Sequence, residues 1–95
     1  MTGTDRSEQD LGELIVRATR RLRRLQDSQW VTLTDLRAQL PNESPFAVDR
    51  TLLELCRAER IDLAQEADQR TLTTADRMNA IRLGGRDVHL IGLRR

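Results

Sequence analysis

From Asp10 the chain alternates apolar and polar positions with a helical period: Leu11, Leu14, Ile15, Ala18, Leu22 and Leu25 recur at the three-and-four spacing of a buried stripe. Glu13, Arg17, Arg20 and Arg24 fall on the opposite side, and this first helix is predicted to end near Gln26–Ser28. Trp30-Val31-Thr32-Leu33 is short, aromatic and β-branched, which predicts one brief strand. Thr34 ahead of Asp35-Leu36-Arg37 predicts a capped second helix with Leu36 and Leu40 inward, stopped by Pro41. Ser44-Pro45 is a strong helix start, a capping hydroxyl followed by proline in the first turn. A third helix follows to about Glu59, with Val48, Leu52, Leu55 and Cys56 on its inner side.

After that helix the period changes. Ile61-Asp62-Leu63 reads as a strand, and residues 64–74 are polar and unpatterned. Thr73 with Asp76 forms a capping-box signature for a turn or two of helix through Met78. Ile81-Arg82-Leu83, Gly84-Gly85-Arg86 and the run from Val88 to Leu93 then make a β-hairpin. The polar stretch 1–9 reads as a flexible leader and 10–95 as one domain. The expected class is α+β, mostly α, with three main helices, a short extra helix and a small antiparallel sheet.

Composition narrows the function classes. Charged residues make up 33% of the chain and the net charge is +1, so the molecule as a whole exerts no strong pull on nucleic acid or an anionic membrane. All 16 basic residues are arginine, which points to a GC-rich bacterial coding sequence. Their distribution is uneven: Arg17, Arg20, Arg21, Arg23 and Arg24 follow one another without an acid between them. Cys56 is the single cysteine, so neither an internal disulfide nor a cysteine-rich zinc site is expected. With no spanning apolar run and no signal-peptide core, the expected location is cytoplasmic, without membrane contact. No phosphate-loop glycines, nucleophile–base pair or convincing carboxylate pair is present, so no enzyme, cofactor or metal is expected.

The order of elements, and above all LTDLRAQLPNESPFAVDRTLLELCRAERIDL, resembles the winged helix-turn-helix superfamily of bacterial transcription regulators over residues 11–93. The resemblance implies that Ser44 caps the recognition helix, that Val48, Leu52 and Leu55 anchor it, and that Arg50 points outward. It makes the hairpin around Gly84-Gly85-Arg86 the wing. Two features depart from the family pattern: Glu59-Arg60 stands where many relatives place glycine, and residues 64–80 insert a loop and short helix before the wing.

On that basis the candidate DNA-contacting residues are Ser44, Phe46, Arg50, Glu54, Arg57, Arg82 and Arg86, with Arg17, Arg20 and Arg24 as a secondary basic patch. Arg50 and Arg57 lie two turns apart on one stripe, a spacing suited to base edges or successive phosphates. Glu54 lies within pairing distance of both, which would place an anion beside phosphate, so an ordinary ion-paired surface competes with the DNA reading. Phe46 and Leu53 either stay exposed, as a protein interface requires, or pack beneath the wing or first helix; packing is the expectation. Trp30 is expected as a core plug, and His89 as a structural or surface residue within the last strand. The leading function is thus binding of double-stranded DNA as a transcription regulator or accessory factor. Such domains often act as dimers, with half-sites about one helical turn apart. The alternative is a non-catalytic protein–protein interaction module of a larger assembly.

Overall fold

The computed structural model describes residues 8–94, with side chains from Asp10 onward. The leader expected over 1–9 falls largely outside the described residues, although its last two positions already belong to a helix. Helix α1 spans Glu8–Gln26, β1 Val31–Thr32, α2 Leu33–Ala38, α3 Pro45–Arg57 and β2 Ile61–Ala64. A single 3₁₀ turn at Gln69–Thr71 leads to α4 (Thr74–Met78), followed by β3 (Ile81–Leu83), β4 (Arg86–Val88) and β5 (Leu90–Leu93). The class is α+β, with four α-helices and small antiparallel sheets among the described residues. No helix among the described residues is long and apolar enough to cross a membrane.

One core joins these elements. Ile15, Leu33, Leu36, Leu52, Ile61 and Ile91 lie at its centre, contributed by α1, α2, α3, β2 and β5. Helix α1 packs against α3 at Gly12, where a Cβ would be in ordinary contact with Leu55 at 3.4 Å. Strand β5 is central in a sheet of order β1-β5-β2 and pairs antiparallel with both neighbours, Val31 opposite Ile91 and Ile61 opposite Leu93. Strands β3 and β4 form a separate hairpin turned by Gly84 and Gly85, both at positive φ.

The expected single strand from Val88 to Leu93 is thus broken at His89, where the chain passes from one sheet to the other. His89 is buried, donates its N–H to Ala64 (2.8 Å), accepts from the Leu33 N–H (2.9 Å), and accepts the Glu66 N–H on Nδ1 (3.2 Å). Its role here is structural.

The helix boundaries show which local signals won. Ser44 caps α3 as expected, its hydroxyl accepting from Ala47 N–H at 3.1 Å. The cap of α2 is Thr32, not Thr34: Thr32 is extended and accepts the Asp35 N–H, so the helix begins at Leu33 and the strand is shortened. Helix α2 also ends at Ala38, before Pro41 can act as its stop. Leu25 and Trp30, both expected in the core, are exposed (72% and 41%). Leu25 lies past the last turn of α1 that packs inward. Trp30 lies against β5 at Gly92, where a Cβ would stand only 3.1 Å from its ring.

Helix α3 closes in a Schellman turn, with Arg60 N–H to Leu55 C=O and Glu59 N–H to Cys56 C=O, both 3.0 Å. Glu59 occupies its left-handed position at φ 62°, the site where the sequence lacks the customary glycine. Glu59→Gly is therefore expected to stabilise the fold by about 0.5–1 kcal/mol, visible as a rise of a few degrees in Tm. An unchanged or lower Tm would show that the side chain's exposed contact with Arg94 (3.7 Å) outweighs backbone strain.

The inserted segment 64–80 is tied down by α2. The capping box predicted at Thr73 and Asp76 is present. Asp76 also accepts from Thr34 Oγ1 at 2.6 Å, the main reason its carboxyl is held below the ordinary range. A depressed carboxyl pKa contributes stability above the unfolded-state value, near 3.9, and loses it as pH falls further. The stability difference between the protein and Asp76→Asn should therefore be full at neutral pH and shrink below about pH 4 in acid-unfolding curves. A difference constant across that window would remove Asp76 from the account.

Candidate functional site

Of the ten residues expected to form a site on sequence grounds, three share a groove on α3, two line a separate concavity at the end of α1, and the other five line neither. Phe46, Arg50 and Arg82 come together with Asp49, Leu53, Ala80 and Ile81 to line a groove of about 400 Å³ between α3 and β3. The inner residues of α3, namely Val48, Thr51, Leu52 and Leu55, are buried, which turns Phe46, Arg50, Glu54 and Arg57 to solvent. Ser44 belongs to this end of the helix, with its hydroxyl engaged as the cap.

Phe46 overturns the packing expectation. It is 75% exposed at the start of α3. Leu53 is half-buried against the core, and Ala80 is likewise half-buried, so the groove floor is apolar. The charges around it are largely balanced within the molecule. Asp49 pairs with Arg37 and Glu54 with Arg57 (3.2 Å). Arg82 faces Asp87 across the hairpin at 3.2 Å, in the register that places them opposite one another. Arg86, at the hairpin turn, is exposed.

Arg37 was invisible to sequence reasoning. Its side chain is 14% exposed; Nε and Nη2 donate to the Asn79 carbonyl (3.3 and 3.0 Å) while Nη2 also pairs with Asp49. It thereby fixes α3 relative to the approach to β3, the two walls of the groove. An arginine in the middle of a short amphipathic helix carries no periodic signal of such a role, since both partners are distant in sequence.

The secondary patch divides. Arg20 and Arg24 line a second concavity at the C-terminal end of α1, together with Arg23, Asp27, Ser28 and Gln29, whereas Arg17 does not. Scans against protein-family models and comparisons with curated proteins and solved structures return no match for this chain.

Proposed function

We propose that the chain is a non-catalytic docking module of the winged-helix type, whose α3–β3 groove receives an apolar side chain from a partner protein. The observation that carries this reading is Phe46, exposed at 75% beside a groove floored by Leu53, Ala80 and Ile81. An aromatic ring left in water at the rim of an apolar groove is the usual form of an interface anchor. A surface for phosphate would instead need unopposed cations. Here Glu54 and Asp87 stand against Arg57 and Arg82, and Asp49 lies at the groove wall.

The test compares affinity capture on the immobilised protein and on Phe46→Ala, followed by reconstitution with the purified partner. Phe46 touches little of its own fold, so the variant should keep the same Tm while partner affinity falls at least about tenfold. A partner retained equally by both proteins would remove the groove from the interface.

DNA binding is the second reading, favoured by the exposure of Arg50, Arg57 and Arg86 along α3 and the hairpin turn. It predicts duplex binding at low salt that weakens steeply as salt rises and with each arginine replaced by alanine. Anisotropy titrations without binding to any duplex at low salt would eliminate it.

A further inference from the structure

The concavity at the end of α1 shares no residue with the α3–β3 groove and has a different chemistry. Arg20, Arg23, Arg24, Asp27, Ser28 and Gln29 line an open surface depression of about 310 Å³. Three guanidinium groups thus face one carboxylate. The chain folds back over the helix end because Asp27 adopts φ 51°, allowing the Ser28 N–H to reach the Arg23 carbonyl at 3.1 Å. That reversal brings Gln29 against Arg23, whose Nη2 donates to Gln29 Oε1 at 3.0 Å. Arg23 is held in place by this bond, yet its Nε is buried with no hydrogen-bond partner among the described residues.

Arginines in a last helical turn are favoured by the helix dipole, which explains their charge. It does not explain why three of them surround a hollow, why one is clamped against Gln29, or why Arg20 and Arg24 have no acidic partner among the described residues. Arg20 and Arg24, one turn apart, also repel each other. A multivalent oxyanion would relieve that repulsion, and its oxygens suit the paired donors of guanidinium forks. Asp27 leaves the hollow with a net positive charge that favours a divalent ligand over a weakly charged one.

We infer that this hollow is a binding site for an oxyanion of the phosphate class, such as a phosphoryl or pyrophosphoryl group. Arg23 and Arg24 supply the principal donors, Arg20 closes the rim, and the polar side chains of Ser28 and Gln29 complete the lining.

The test uses the full chain and amide NMR spectra, titrated with inorganic phosphate and with pyrophosphate at constant ionic strength set by sodium chloride. Saturable shifts centred on Ser28 and Gln29 are expected, with pyrophosphate tighter than phosphate. Arg24→Gln should weaken pyrophosphate binding about tenfold, the scale of one charge-assisted contact, and Arg20→Gln should weaken it in the same direction. Arg17→Gln removes the same charge from α1 outside the hollow and should change affinity less than about twofold. A short DNA duplex at matched phosphate concentration separates the sources: shifts at the same amides identify a backbone phosphate as a ligand of this site. If the duplex leaves them unmoved while pyrophosphate saturates, the ligand is a free or terminal phosphate. Chloride alone producing the same shifts, or Arg17→Gln weakening binding as much as Arg24→Gln, would overturn the site in favour of general screening of a basic helix.

Discussion

Replacing Leu52 with alanine is expected to cost about 3 kcal/mol of folding stability, within the ~2–5 kcal/mol found when a large core side chain is cut back. Leu52 has no exposed surface, and it lies where α3 meets the centre of the core shared by five elements. The loss has two parts: the transfer free energy of the missing atoms, and the cavity they leave. The cavity is difficult to close here, because Val48, Thr51 and Leu55 on the same face are already buried against neighbours. A domain of this size has roughly 5–15 kcal/mol in total, so the variant should remain folded with a clearly lower urea midpoint and an unchanged m-value. A midpoint within experimental error of the parent would mean that α3 is not seated through Leu52.

The second large effect is expected at Arg37. Arg37→Met keeps an apolar stem of similar length and removes the guanidinium, leaving the Asn79 carbonyl and Asp49 without their shared donor. The expected loss is about 2 kcal/mol, because a largely buried, charge-assisted network is broken while Asp49, 42% exposed, recovers part of its hydration. The loss should be localised. Amide exchange should accelerate around Asn79–Ile81 well before it does in the β1-β5-β2 sheet. Arg37→Lys should rescue little of it, since a single ammonium lacks the planar fork that serves both acceptors. Equal exchange in both regions would show that Arg37 supports the whole fold and not the groove wall in particular.

Much of the fold was legible because its strongest signals are local. Ser44-Pro45, the Thr73–Asp76 box and Gly84-Gly85 each specify a boundary through neighbours a few residues away, and each forms as read. Where two local signals competed, the sequence was ambiguous: Thr32 and Thr34 both precede Asp35, and only the extended backbone at Thr32 decides which hydroxyl caps α2. Leu25 and Trp30 were misassigned because apolarity specifies an inward side only where another element covers it. The site was less legible for the same reason. A helical wheel orients Phe46 and Arg50 outward, but the groove depends on β3 lying beside α3 and on Arg37 holding it there. Those are long-range facts. The hollow on α1 similarly depends on a reversal at Asp27, a residue whose positive φ has no motif to announce it.

The central position of β5 has a consequence for how this chain is made. Val31 and Ile61 are both synthesised well before their shared partner strand, yet neither has a sheet neighbour until Leu90–Leu93 emerges from the ribosome. Until then a nascent chain can form its helices but must carry the apolar edges of β1 and β2 uncovered. Folding of the sheet therefore waits on closure of the long loop between Val31 and Ile91, with a rate governed by that closure more than by helix propensity.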